Sequence, residues 1–202
     1  MAGTPPPPAK PGRPRDAGAD DRILQAVVDE LADHGVAGLR INNVAARAKV
    51  AKRTLYARWT ERDDLILAGL STLALHLAPP RTGSLEGDLG VLYDTIADAL
   101  DSPRWLIAAR CSFELPDHPD LYARFQRDCI DQPLAVVEDV LFDAQRRGEL
   151  RAGVDRSVAA ETFTASIATF CTRIAHLRGV SARGVREQFL DLVLHGLRAD
   201  TV

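Results

Sequence analysis

The chain has 202 residues, of which 46% are hydrophobic and 26% are charged. No run of 18 apolar residues occurs, and the three cysteines form no Cys-x-x-Cys pair, which excludes a membrane-spanning helix and argues against a disulfide framework or a zinc knuckle. The N-terminus lacks the apolar core of a signal peptide, so we expect a soluble, cytoplasmic protein.

The net charge of −3 is unevenly distributed. Residues 1–62 carry eleven Lys or Arg and seven Asp or Glu, whereas the remaining residues carry fourteen and twenty-one. The first part is therefore positive by four charges and the second negative by seven. A basic head on an acidic body is typical of a protein that presents one end to DNA.

Residues 1–19 are rich in Pro, Gly and Ala and predict a disordered basic arm. Two interpretations of this arm stay open: it reaches phosphates or a minor groove, or it is a solubilising tail. A first helix is expected to begin near Asp20 or Asp21 and to stop at Gly35. Its apolar residues recur with helical spacing, so it braces the next two helices.

Two short helices are predicted at 41–48 and 52–59, separated by about three residues. Ala45 and Ala48 permit the close crossing of a helix-turn-helix. Leu55 and Trp59 face inward, which leaves a basic and hydroxyl-bearing surface outside, suited to phosphates and base edges. The predicted DNA contacts are Lys52, Arg53, Thr54, Tyr56 and Arg58, with Arg40 and Arg62 as flanking phosphate contacts. The alternative is a pair of surface helices whose basic residues face water.

The order and spacing of these features resemble the TetR family of transcriptional regulators over about 50 residues. The resemblance is carried by Ile23 to Val27, Leu31 to Gly35, Val44-Ala45, Val50, Thr54-Leu55-Tyr56, Trp59, Arg62, Asp63 and Leu65. It supports Thr54, Tyr56 and Arg62 as DNA contacts by position, whereas Arg53 and Arg58 rest on their chemistry.

The sequence departs from the family pattern in and around the turn. Lys49 stands where the family usually has Gly, and a left-handed conformation there is costly for a side chain. Ala51 and Arg40 replace hydroxyl residues that would cap the two helices.

We therefore predict an all-α fold, with a three-helix DNA-binding domain at 20–65 and a helical domain at 66–202. The resemblance implies that the second domain binds an effector and dimerises. Its helices are expected at 61–77, 88–100, 103–115, 121–147 with an interruption near Pro133, 155–177 and 182–198.

The last two helices carry wide apolar faces, which predict a two-fold dimer. The predicted interface comprises Phe163, Ile167, Phe170, Ile174, Phe189, Leu192, Val193 and Leu197. Completion of a monomer core is the alternative.

A small-molecule site is expected between the helices at 61–77, 88–100, 103–115 and 121–147. Its candidate residues, each of which also fits ordinary core packing, are Trp105, Cys111, Phe113, Tyr122, Phe125 and Phe170. Few polar groups occur on these helices, which favours an apolar or aromatic effector.

Catalytic, metal and cofactor signals are weak. The sequence contains no Gly-x-Ser-x-Gly, His-Glu-x-x-His or phosphate loop, and His118 fits a solvated loop better than a metal site. The predicted function is a ligand-responsive repressor that binds a palindromic operator as a homodimer. The alternatives are a helical ligand carrier or enzyme with a basic head, and a partner-binding adaptor.

Overall fold

The computed structural model describes residues 18–171, 179 and 181–198. Within these residues the chain forms ten α-helices and no β-strand, which confirms the predicted all-α fold. The helices are α1 (Ala19–Gly38), α2 (Ile41–Ala48), α3 (Lys52–Tyr56), α4 (Arg62–Ser71), α5 (Leu85–Leu100), α6 (Pro103–Glu114), α7 (Pro119–Phe125), α8 (Asp131–Arg146), α9 (Arg156–Thr169) and α10 (Arg186–Leu197). The predicted arm lies outside the described residues except for its last two positions.

The predicted helix 61–77 is too long, because α4 ends at Ser71. The Ser71 hydroxyl donates to the Leu67 carbonyl (2.8 Å), and the Thr72 hydroxyl donates to the Gly69 carbonyl (2.7 Å). Hydroxyls that bond to nearby carbonyls compete with the regular helical pattern. Residues 72–74 therefore form turns, and the chain reaches the next helix as a loop.

The predicted interruption of the helix 121–147 is real but lies earlier than Pro133. A π-helical turn, Gln126–Ile130, separates α7 from α8. Pro133 has no N–H, and a proline ring crowds the carbonyl four residues before it. A widened turn at 126–130 relieves that crowding, so the irregularity precedes the proline instead of coinciding with it.

Two other boundaries differ from expectation. Helix α5 begins at Leu85, three residues early, because the Ser84 hydroxyl caps it by accepting from the Gly87 N–H (3.1 Å). Helix α3 ends at Tyr56, and the N–H groups of Arg58 and Trp59 both bond to the Leu55 carbonyl beyond it. The predicted continuation of the helix 155–177 beyond residue 171 lies outside the described residues.

Two hydrophobic clusters form the core. The first joins α1–α4 to residues of α6, α7 and the π-helical turn, including Cys111, Leu121 and Phe125. The second joins α5, α8, α9 and α10. The first cluster extends past residue 65, the predicted end of the DNA-binding domain, because α1 packs on α6 and α4 packs on α7, which together form a platform.

Helix α1 breaks where it meets this platform. Gly35 has φ 69° and ψ −173°, a conformation open essentially to glycine alone. The break exposes the N–H of Val36, which donates to a carboxylate oxygen of Glu114 at 2.6 Å. Arg110, one turn earlier on α6, donates to the Ala32 carbonyl at 2.9 Å. The end of α1 is thus fastened to α6 by polar bonds on both sides of the break.

We expect Gly35→Ala to lower the free energy of unfolding by about 2–3 kcal/mol, because the backbone is strained and a Cβ would overlap the Glu114 carboxylate. Gly83→Ala is the control, since Gly83 also has a positive φ (93°) but no atom within 4 Å of an added Cβ. Gly83→Ala should lower the free energy of unfolding by only about 1 kcal/mol. Urea unfolding followed by circular dichroism measures both, and equal losses would show that the Glu114 contact is unimportant.

Candidate nucleic-acid interface and internal cavity

The turn between α2 and α3 ends α2 with a left-handed residue. Lys49 has φ 55° and ψ 43°, the conformation that its place in the turn predicts. The Lys49 N–H bonds to the Ala46 carbonyl (3.2 Å), and the Val50 N–H bonds to the Ala45 carbonyl (3.0 Å). This pair of bonds is a Schellman motif, in which glycine is the usual left-handed residue. The motif sets the direction in which α3 leaves the turn.

Neither helix of this pair has a side-chain cap. Ala51 and Arg40 occupy the N-cap positions of α3 and α2, and neither provides a capping hydrogen bond. The orientation of α3 therefore depends on the turn and on Leu55, which is 1% exposed in the first cluster.

The outward side of α3 is basic and aromatic. Lys52, Arg53 and Tyr56 are exposed, and Thr54 is half-buried. The Lys52 ammonium lies 5.6 Å from the centroid of the Tyr56 ring, within cation–π range. Four of the five predicted contacts on this helix segment thus share one surface.

Arg58 has an intramolecular partner. Its guanidinium forms an ion pair with Asp20 at the start of α1 and donates to the Thr54 carbonyl (3.2 Å). A phosphate that reaches Arg58 has to compete with the Asp20 carboxylate. Arg58 therefore connects α3 to α1 in this structure.

Arg62 binds the end of α1. Its guanidinium donates to the carbonyls of Val36, Ala37 (3.2 Å) and Leu39 (3.2 Å), and it pairs with Asp63 (3.4 Å). A cation at a helix C-terminus satisfies free carbonyls and opposes the negative end of the helix dipole. The first turn of α4 is thereby held against the end of α1.

A buried carboxylate, absent from the predicted site residues, orders α2. Glu30 is fully buried; it accepts from the Asn43 amide (2.6 Å) and pairs with Arg47 (3.3 Å) and His34 (3.4 Å). Glu30 lies seven residues after Ile23, on the buried stripe of α1. An acidic residue at such an apolar position is the sequence feature that could have identified Glu30 as a structural residue. Arg47 also bonds to Asp33, which raises the pKa of Arg47. Arg47 is therefore occupied within the protein.

Four basic side chains remain available at this surface. Arg40, Lys49, Lys52 and Arg53 are exposed and make no ion pair with the residues that the structure describes. Lys49, expected above only to adopt a costly backbone conformation, is a further candidate contact because of its charge and its place between the two helices. The structure thus gathers four cations around the turn and α3.

Further polar bonds connect this region to the body. Asp64 of α4 pairs with Arg124 of α7 at 2.8 Å, and the hydrogen bond from Arg124 lowers the pKa of Asp64. Arg104, at the start of α6, donates to Gln25 of α1 and to the carbonyl of Thr72 just after α4, each at 3.3 Å. Helix α6 is thus bonded to α1 and to the residue that follows α4, and α7 is bonded to α4.

An apolar cavity of about 80 Å³ lies where the end of α4, α5, α6, the π-helical turn, α8 and α9 meet. Two of the six predicted ligand residues, Trp105 and Phe125, line it. Cys111 and Tyr122 belong to the first core cluster, and Phe113 is 85% exposed. Phe170 lines a surface groove instead. The structure thus brings together only part of the predicted set.

That surface groove, of about 950 Å³, runs between α9 and α10 and includes most of the predicted dimer residues: Phe163, Phe170, Phe189, Leu192, Val193 and Leu197. Leu192 is 74% exposed at its edge. Ile167 is buried in the second cluster, and Ile174 lies outside the described residues.

The cysteines and acidic groups form no reactive centre in the part of the chain that is described. Burial raises the pKa of the Cys111 thiol to about 11, so the thiol stays protonated and weakly nucleophilic at neutral pH. No group of three or more His, Cys, Asp or Glu among the described residues is arranged to hold a metal ion. In the same residues, no helix is long and apolar enough to cross a membrane.

We expect Lys49→Gly to raise the free energy of unfolding by about 1 kcal/mol, because glycine adopts the left-handed conformation without a Cβ clash. Lys49→Ala removes the same charge but keeps the Cβ, so it should give no such gain. Denaturant unfolding of the two variants beside the natural protein provides the measurement. Equal stability of the two variants would contradict the assigned strain.

Comparison with known proteins agrees with the geometry. The family model described as "Bacterial regulatory proteins, tetR family" matches residues 23–68, and "Tetracyclin repressor-like, C-terminal domain" matches residues 79–192. An uncharacterized HTH-type transcriptional regulator of Mycobacterium tuberculosis is 31% identical over 144 residues, which are 69% of this chain and 67% of that protein. An HTH-type transcriptional repressor of Streptomyces coelicolor is 37% identical over 76 residues, 36% of this chain and 40% of that protein.

Among solved structures, FadR from Bacillus subtilis in complex with stearoyl-CoA is similar, with a TM-score of 0.71 and 16% identity over 87% of this chain and 98% of that one. At this identity the similarity shows the fold. The two family models together cover the helix-turn-helix and most of the helical body. The chain therefore belongs to the TetR family, and it is a DNA-binding transcriptional regulator.

Proposed function

We propose that the protein is a ligand-responsive repressor, and that its dimer binds a palindromic operator through the exposed side of α3. The observation that carries this proposal is the cluster of four exposed cations around the helix-turn-helix, beside Tyr56. Cations supply the salt-dependent attraction to phosphates, and arginine also reads guanine. As a regulator of genes, the protein would work in the cytoplasm.

The residues of this surface have two kinds of role in the proposal. Arg53 and Tyr56 face the groove, with Thr54 beside them, and Lys52, Arg40 and Lys49 reach phosphates. Arg58 and Arg62 act mainly by fixing α3 and α4 against α1, since both are engaged with groups of the protein. Arg58 is available to a phosphate only when its pair with Asp20 opens.

A second copy of the chain is required, because one helix-turn-helix contacts only a few base pairs. Two copies on one face of DNA have to be about 34–36 Å apart, the length of one helical turn. The apolar groove of α9 and α10, with Leu192 largely exposed, is the surface that we assign to the homodimer. The position of α3 in each copy would then be set by how the two bodies pair.

The cavity beside the end of α4 is the effector site in this proposal. Its wall includes Leu70 of α4, so a bound molecule would change the packing of the helix that begins next to the DNA-facing surface. A ligand that favours a different spacing of the two heads would release the operator. The solved complex of FadR with stearoyl-CoA supports the idea that such a helical fold binds a molecule with a long apolar part.

Repression is the mode that we favour, because the similar Streptomyces coelicolor protein is a repressor. A repressor needs only to occupy DNA, which two positioned helix-turn-helix units achieve. Family membership favours this function over the ligand carrier, the enzyme and the partner-binding adaptor.

Titration of DNA upstream of the protein's own gene, over a salt series, tests the proposed surface. We expect tight, site-selective binding that weakens steeply with salt. Lys52→Ala should weaken binding and reduce the slope of log K against log salt by about one, as expected for one lost phosphate contact. Tyr56→Ala should lower the affinity without that change in slope.

The control for charge is Arg127→Ala, which removes an exposed cation of the body that pairs with Asp128. It should leave both the affinity and the slope unchanged. If Lys52→Ala behaves like Arg127→Ala, α3 does not face the DNA. If the protein binds all DNA equally weakly, the operator-binding proposal is wrong.

Sedimentation of Leu192→Glu tests the dimer. A charge buried without a partner in an apolar interface is strongly unfavourable, so we expect dissociation into monomers. Leu106→Glu is the matched control, because Leu106 is 60% exposed on α6, away from the groove. An intact dimer with Leu192→Glu would rule out this face as the interface.

A further inference from the structure

Two residues that line the cavity carry polar atoms with unused hydrogen-bonding capacity. The indole Nε1 of Trp105 and the hydroxyl of Thr164 are shielded from solvent, and neither has a hydrogen-bond partner among the residues that the structure describes. Both residues line the same cavity. Buried polar groups in proteins nearly always have partners, so two exceptions at one cavity require an explanation.

The chemistry of these two atoms restricts which groups of a ligand can form hydrogen bonds with them. An indole N–H only donates, and a hydroxyl both donates and accepts. A molecule in the cavity therefore needs an acceptor atom, such as a carbonyl oxygen, toward Trp105 and Thr164. The molecule does not need a hydrogen-bond donor of its own.

The remaining lining is apolar and uncharged. It is formed by side chains such as those of Leu70, Ile96, Leu100 and Phe125, and no Lys, Arg, His, Asp or Glu occurs among the described residues that line the cavity. An ionised group placed there would lose its hydration without gaining a counter-charge. A neutral molecule is therefore favoured over a carboxylate.

The cavity has to enlarge before it can hold a ligand with an aromatic ring. Its 80 Å³ is about half of the roughly 150 Å³ in which an engineered apolar cavity holds benzene. Leu73, Ala74 and Leu75 line both this cavity and a second one of about 270 Å³. These three residues follow α4 and are not helical, so their displacement makes space for a ring and moves the end of α4.

Building on the function proposed above, we infer that the effector is a neutral, largely apolar small molecule with one hydrogen-bond acceptor oxygen. Trp105 Nε1 and Thr164 Oγ1 donate to that oxygen, and the apolar part of the molecule displaces residues 73–75. These two donors set the specificity of the site, and the apolar walls supply most of the affinity.

Three probes of similar size separate these contributions: acetophenone, ethylbenzene and benzoate. Each is titrated into the full-length ¹⁵N-labelled protein while the indole N–H signals of Trp59 and Trp105 are followed, the latter assigned with Trp105→Phe. Acetophenone should shift the Trp105 indole signal in the direction of stronger hydrogen bonding. Ethylbenzene should bind without that shift, and benzoate should bind at least tenfold more weakly than acetophenone.

The variant Thr164→Val keeps the shape of the side chain and removes the hydroxyl. It should weaken acetophenone about fivefold relative to ethylbenzene, as expected for one neutral hydrogen bond. Ser112→Ala is the control, because it also removes a hydroxyl, one that bonds to the Ala109 carbonyl (2.7 Å) on α6, and Ser112 lines neither the cavity nor the groove. It should leave the ratio of the two affinities unchanged.

Binding of upstream DNA by the same samples separates the two proposals. An unchanged affinity ratio in Thr164→Val, benzoate binding equal to acetophenone, or no binding of any probe would overturn the inferred effector class while DNA binding stands. Loss of site-selective DNA binding by the natural protein would instead overturn the repressor. Acetophenone binding that never affects DNA affinity would support the cavity chemistry and contradict its regulatory role.

Discussion

The break at the end of α1 is the joint on which the arrangement of this protein depends. Gly35 turns the chain, and the groups freed by the turn are taken by two other helices: Glu114 of α6 accepts from the Val36 N–H, and Arg62 of α4 donates to carbonyls of α1. Polar bonds of this kind are directional, unlike apolar packing. They fix the angle between the DNA-facing helices and the body, which packing of the first cluster alone would define less sharply.

Charge is used in two different ways in the N-terminal region. Arg47, Arg58 and Arg62 are engaged by carboxylates or carbonyls of the protein, and they hold helices together. Lys52 and Arg53 have no such partner among the described residues and remain available to an external anion. At least three of the eleven Lys and Arg residues in the region 1–62 are thus engaged within the protein.

The cavity and the DNA-facing surface are connected through short segments. Residues 73–75 form the wall of the cavity and follow α4, while Arg104, next to Trp105, bonds to both α1 and Thr72. In the proposed mechanism, a molecule that displaces this wall would alter both attachments of the N-terminal helices at once.

Sequence by itself determined the helix-turn-helix and its outward surface. The bounds of α2, the left-handed Lys49, the missing caps and the buried Leu55 all follow from local spacing and backbone preference, which act within a few residues. The apolar face near Leu192 was equally visible as a periodic pattern.

The tertiary structure decided the features that depend on contacts between residues distant in sequence. The roles of Arg58 and Arg62, the importance of Glu30, and the choice of Trp105 and Phe125 over Cys111 and Phe113 at the cavity depend on residues distant in sequence. Periodicity shows that a side chain is on an apolar face, but not which neighbour it meets there. That neighbour is set by how the helices pack, because packing brings together groups that no local pattern relates.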